Sequence, residues 1–126
     1  QGVVVWANYL TYMDTAQMDY LRDIGLPYHE MRQENYDLVA VEAHIEYKGP
    51  ARFDDLLEVY TRVSEVGNSS FSMDFEIYKT DGGELIARGR TVHCIVAGDT
   101  GRPIRVPARM RQLIRDFEEN PAIEPS

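Results

Sequence analysis

A single cysteine, Cys94, stands among the 126 residues. One cysteine forms no internal disulfide, which points to a reducing compartment, and no histidine or acid lies beside it in sequence to make it a nucleophile. Its plain role is that of a small buried hydrophobe. The three histidines, His29, His44 and His93, are isolated from one another, so the spacings of a metal site are absent. There is no glycine-rich phosphate loop and no G-x-S-x-G elbow. No apolar run reaches the length of a membrane span, and the expectation is of a chain without a signal peptide before the first motif. Thirteen basic residues against 21 acidic ones give a net charge of -8, which argues against nucleic acid as the main partner. The expectation is a cytoplasmic chain, long enough for one domain with its own core.

The charge is uneven. From Arg88 to Arg115 there are seven arginines (Arg88, Arg90, Arg102, Arg105, Arg109, Arg111, Arg115) and one acid, Asp99. Such a basic third either holds a small anion locally or consists of solvated strand and helix faces.

Periodicity sets the elements. Tyr9, Met13, Ala16, Tyr20 and Ile24 share one face of a helix over about Ala7 to Asp23, with Leu10, Tyr12 and Leu21 widening it. That arc is broader than a surface helix needs and suits a helix cradled by a sheet. Gln17 lies inside the arc and Asp14 at its edge; each is either aimed into a site or satisfied structurally. Gly25-Leu26-Pro27 stops the helix, and Tyr28 to Tyr36 reads as a loop or short helix. The period then becomes two. Val39, Val41, Ala43, Ile45 and Tyr47 alternate with polar or small residues in a first strand. Leu57, Val59, Thr61 and Val63 mark a second strand, and Phe71, Met73, Phe75 and Ile77 a third. Asp81-Gly82-Gly83 is a hairpin signal, and Leu85 to Ala97 forms a fourth strand. Gly89 within it indicates a bulge or a close backbone approach. Pro107 opens a last helix with Met110, Leu113, Ile114 and Phe117 as its packing stripe. A helix followed by strands in hairpin succession predicts an antiparallel α+β domain.

The helix start also offers chemistry. Its first N–H groups have no intrahelical partner, and the macrodipole adds positive potential there. Among apolar side chains such donors can stabilise an oxyanion.

Three passages carry a resemblance. Gly2-Val3-Val4-Val5-Trp6-Ala7-Asn8-Tyr9-Leu10, continuing through Tyr12-Met13-Asp14 and Ala16 to Gly25-Leu26-Pro27, resembles the hotdog-fold acyl-CoA thioesterases of the 4-hydroxybenzoyl-CoA thioesterase class. In that family Asp-x-x-Gly-(Val/Ile)-Val-(Tyr/Trp)-x-x-(Asn/Ser)-Tyr runs into the central helix. Ile45 to Val59, with Pro50-Ala51 and Asp54-Asp55, is similar to a second family passage, and Gly101 to Pro107 to a third.

The resemblance implies an α+β hotdog fold: a long central helix wrapped by a curved antiparallel sheet, with a short C-terminal helix. It implies one domain over residues 1–126, its first strand and catalytic aspartate falling upstream of residue 1. It implies a homodimer or homotetramer with sites between subunits, and hydrolysis of acyl-CoA or acyl-carrier-protein thioesters without a cofactor. By the same resemblance, Gly2 matches the motif glycine, the Trp6 N–H polarises the carbonyl, and Asp14 matches an acidic helix position. Val5, Asn8 and Tyr9 would line the substrate. Ser69 and Ser70 stand where relatives hold nucleotide phosphates with basic residues, so Arg88, Arg90, Arg102 or Arg105 would supply that grip. Trp6 replaces a histidine of many relatives. The competing expectations are a non-catalytic hotdog module that binds acyl-CoA or a protein partner, and a dehydratase, which would need a histidine that the first helix does not hold.

Overall fold

The computed structural model describes residues 6–50 and 55–125, and of residues 6–11 the backbone alone. The order is α1 (Trp6–Asp23), α2 (Tyr28–Gln33), β1 (Tyr36–Tyr47), β2 (Leu57–Val66), β3 (Ser70–Lys79), β4 (Leu85–Ala97) and α3 (Ala108–Glu118). The expected upstream strand lies outside the described residues.

α1 ends where Gly25 takes a φ of 96°, with the N–H of Leu26 donating back to the Leu21 carbonyl at 2.9 Å. A left-handed residue just past a helix is glycine's usual place. Pro27 then directs the chain into the short helix α2, one of the two forms expected for this stretch.

The four strands form one antiparallel sheet in the order β1-β4-β3-β2. Its inner face carries Phe71, Met73, Phe75 and Ile77 from β3, all buried, as their alternation predicts. Val63 of β2 and Ile95 of β4 join them, and α1 adds Met13, Tyr20 and Leu21. Met110 and Ile114 of α3 and Met31 of α2 complete this core. Each such side chain contributes about 1.5–3 kcal/mol by leaving water.

Two polar groups pin the layers. The Tyr20 hydroxyl donates to Glu118 Oε2 at 2.6 Å, and the same oxygen accepts the Val63 N–H at 2.9 Å, tying α1, β2 and α3 together. Arg111, 2% exposed, donates from its guanidinium to the carbonyls of Val106, Gly67, Asn68 and Glu124. The sequence pattern puts Arg111 among the surface or anion-holding arginines. It is instead a buried cation solvated by backbone.

One expectation for β1 fails. Val39, Val41, Ala43, Ile45 and Tyr47 do not share a face, because the register with β4 slips between Ala40 and Glu42. Val39 pairs with Cys94, whereas Ala43, Ile45 and Tyr47 pair with Thr91, Gly89 and Ala87 on the helix side. A bulge adds one residue and reverses the alternation beyond it. Val41 occupies that bulge and is 59% exposed.

Candidate active site

α1 begins at Trp6, and its first turn contains no acidic residue. The N–H groups there are therefore not offset by a carboxylate on the same turn, and the end of the helix is electropositive. Gly2 and Val5 lie outside the described residues. Trp6, Asn8 and Tyr9 fall within α1, with only their backbone described.

Two turns further along α1, Asp14 is exposed and makes no hydrogen bond or ion pair among the described residues. Met13 beside it is buried against Gly89 of β4, the close approach anticipated for that glycine. Gln17, one turn on, is 8% exposed. His93 is 4% exposed on the inner face of β4, in register with Phe71 of β3. Its ring stacks on Phe71 with centroids 5.4 Å apart, and its Nδ1 is 3.4 Å from Thr91 Oγ1. Burial pushes the His93 imidazole below its ordinary pKa, and the Asp14 carboxylate acts in the opposite sense. Desolvation wins, so the ring is neutral near pH 7.

The arginines expected to hold the coenzyme separate into two places. Arg88 and Arg90 lie on the outer face of the sheet, with Arg88 paired to Glu76 at 3.3 Å. Arg90 is shared between Asp74 at 3.4 Å and Glu65 at 3.0 Å. They border a shallow cleft of ≈ 540 Å³, together with Arg62, Glu46, Asp74 and Glu76. Its charges compensate one another, so the cleft has no surplus of either sign with which to hold an anion. Arg105 instead reaches the turn between β2 and β3, donating to Asn68 Oδ1 at 2.7 Å. Ser69 and Ser70 sit in the same turn, half-buried. The Ser69 carbonyl accepts the Ile95 N–H and the Ser70 carbonyl accepts the Gly67 N–H. Arg102 is exposed on the neighbouring segment, where its carbonyl accepts the Ala97 N–H. The structure thus gathers Ser69, Ser70, Arg102 and Arg105 at one end of the sheet and leaves Arg88 and Arg90 elsewhere.

The sequence marks His93 only as one of three isolated histidines, and its burial appears with the structure. The one signal is a histidine in alternation with Ala87, Gly89, Thr91 and Ile95 along the strand. No group of three or more His, Cys, Asp or Glu residues suited to a metal ion occurs among the described residues.

The thioesterase-like superfamily matches residues 1–114. A protein of Aquifex aeolicus (strain VF5), provisionally named an esterase, is 31% identical over 116 residues, spanning 92% of this chain and 88% of its own. The acyl-CoA thioester hydrolase YbgC of Escherichia coli O6:H1 is 30% identical over 69 residues, 55% of this chain and 52% of its own. Among solved structures, a thioesterase complexed with coenzyme A and Zn from Thermus thermophilus is similar, with a TM-score of 0.79 and 28% identity. That similarity covers 95% of this chain and 85% of the other.

Proposed function

The chain belongs to the thioesterase-like superfamily, and from that premise we propose that it hydrolyses acyl-CoA thioesters at the N-terminal end of α1. A relative named as an acyl-CoA thioester hydrolase, and a similar thioesterase solved with coenzyme A, support this substrate class. The single observation that carries the location is the acid-free first turn of α1, beginning at Trp6 within the matched region.

The reaction follows from that arrangement. A thioester carbonyl docks with its oxygen on the Trp6 N–H, next to the Gly2–Val5 segment. Water attacks the carbonyl carbon, and its proton passes to a carboxylate. The oxyanion is held by the helix end, where one preorganised donor is worth about 10²–10³ in rate. Collapse breaks the carbon–sulfur bond, and the thiolate of coenzyme A leaves and takes up a proton. Two carboxylates enter this reading. One is the aspartate that the family motif places three residues ahead of Gly2; the other is Asp14.

Asp14 lies eight residues beyond Trp6, about 12 Å along the helix axis. A carboxylate cannot span that gap with one water. In the homodimer we propose, Asp14 therefore serves a carbonyl bound at the helix end of the other protomer. The long edge strand β1 supports this assembly, with Val39, Val41 and Tyr47 45–59% exposed along it. α1 would be the central helix of a hotdog domain, its sheet continuing through β1 into a second copy. Asn8 and Tyr9 line the acyl group, and Ser69, Ser70, Arg102 and Arg105 meet the nucleotide end. Arg88 and Arg90 have no part in this grip, because they lie on the outer face of the sheet away from the β2–β3 turn, whereas Arg105 reaches that turn while also pairing with Glu124.

Replacing Trp6 by proline tests the location. Proline fits the first turn of a helix and removes the N–H together with the indole, so Trp6→Ala, which loses the indole and keeps the N–H, is the control and is expected to keep most of the activity. For Trp6→Pro the expected result is a folded protein whose kcat falls about 10²–10³-fold. A folded Trp6→Pro enzyme with unchanged kcat would refute the carbonyl's placement.

A further inference from the structure

We propose that Glu124 is a displaceable counter-ion on Arg105 that sets how tightly this arginine grips a phosphate, and so is a specificity-determining residue for substrates that carry one. This rests on the reading of Arg105 as meeting the nucleotide end of the substrate.

The segment after α3 returns to the β2–β3 turn, and its main chain is anchored there. Ile123 is 3% exposed within the core, and the Glu124 carbonyl accepts from Arg111 Nη1 at 3.4 Å. Arg111 also donates to the Gly67 and Asn68 carbonyls, so one buried guanidinium joins the segment to the turn. The Glu124 side chain is held far less firmly. It is 78% exposed, and its Oε2 meets Arg105 Nη2 at 3.5 Å. An exposed ion pair of this length is weak, because water and salt screen it. Rotation of the Glu124 side chain to another rotamer releases Arg105 while the main chain stays on Arg111 and Ile123.

Arg105 is aimed independently of that pair. Its Nη1 donates to Asn68 Oδ1 at 2.7 Å, much the shorter contact, and this holds the guanidinium at the turn while Nη2 faces Glu124. With the carboxylate turned away, Nη2 is offered to a ligand beside Ser69. A phosphate brings several acceptor oxygens and matches the guanidinium fork, so it displaces a single carboxylate oxygen at 3.5 Å. The work of that displacement is subtracted from the grip. Arg88 and Arg90 show the contrast. Strand register fixes Glu76 and Asp74 beside them, whereas Glu124 lies outside the helices and strands.

The test is calorimetric titration of the full chain with coenzyme A at low ionic strength, in the wild type, Glu124→Gln, Arg105→Met and the double variant. Glu124→Gln removes the charge and keeps the main-chain carbonyl on Arg111. It is expected to tighten coenzyme A binding about two- to fivefold. Arg105→Met is expected to weaken binding about tenfold. The double variant should bind as Arg105→Met does, since the carboxylate then has no grip to oppose. Unchanged or weaker binding in Glu124→Gln, with Arg105→Met weakened, overturns the proposal and leaves Arg105 at the nucleotide end. An undiminished gain from Glu124→Gln in the Arg105→Met background also overturns it, because the carboxylate then acts on another group. Coenzyme A binding that is absent from the wild type, or unaltered by Arg105→Met, overturns the reading of Arg105 and the proposal with it.

Discussion

Met13 sits directly against Gly89: a Cβ on residue 89 would lie 2.8 Å from both Sδ and Cε of Met13 and 3.4 Å from the His44 carbonyl oxygen. α1 and β4 are spaced by this contact, and Met13 is 2% exposed with little room to move aside. Gly89→Ala is therefore expected to destabilise the fold by about 1–3 kcal/mol, the usual cost of overpacking. Urea unfolding of Gly89→Ala, Met13→Ala and the double variant checks this. The two changes should couple, with the double variant less destabilised than the sum of the singles.

Tyr20 and Tyr36 make stability fall at alkaline pH. Burial, with the hydrogen bond to Glu118, holds the Tyr20 phenol well above its ordinary pKa. Burial pushes Tyr36 up to about 12. The folded chain thus keeps these protons where the unfolded chain loses them. The stabilisation is complete below about pH 10 and is lost as pH rises past it toward the folded values. Tyr20→Phe is expected to flatten that fall in urea titrations above about pH 10, leaving the share due to Tyr36. Glu118→Ala, which strands both the Tyr20 hydroxyl and the Val63 N–H, is expected to cost more than Tyr20→Phe at neutral pH.

His93 acts at the other end of the scale. Its folded pKa lies below the unfolded value, so the unfolded chain takes up the proton first as pH drops. Its contribution is present above about pH 6.5 and fades as pH falls through the folded value. The difference in unfolding free energy between about pH 7 and about pH 5 should be smaller in His93→Gln than in the wild type.

Arg111 is expected to be the most sensitive arginine for stability. Arg111→Met leaves the carbonyls of Val106, Gly67 and Asn68 without their charged donor, at a cost of about 1.5–3 kcal/mol for a single such bond and more if several are lost. Arg88→Met, on an exposed pair with Glu76, is expected to cost under about 1 kcal/mol. Thermal melts of the two variants give the comparison.

Dimerisation through β1 predicts that charge on its apolar edge separates the protomers. Val39→Lys/Val41→Lys is expected to sediment as a monomer and to lose activity, because Asp14 then has no second helix end to serve. A variant that remains a dimer with full activity would place the interface elsewhere.

Much of this architecture is legible along the chain. The alternation of Phe71, Met73, Phe75 and Ile77 reports one buried sheet face, and Asp81-Gly82-Gly83 marks a turn whose two glycines take φ of 88° and 68°. The phase of β1 is not legible. A bulge at Val41 is one extra residue, and its position depends on the partner strand rather than on local composition. Arg111 reads as a surface residue because its acceptors are backbone carbonyls brought in by the β2–β3 turn and the C-terminal segment. The start of α1, at Trp6, is visible in the sequence within one residue of the Ala7 expected from periodicity. The arginine cluster divides because strand register pairs Arg88 with Glu76 and Arg90 with Asp74, which spacing along one strand cannot reveal.

The most direct test of the central claim is thiol release from a panel of short, long and aromatic acyl-CoAs by the purified protein, with acyl-CoA binding measured in parallel. Catalytic release of free coenzyme A from at least one of them is expected, reduced about 10²–10³-fold in Trp6→Pro. Binding of acyl-CoA with every thioester left intact would contradict it, and would make the chain a binding module rather than a hydrolase.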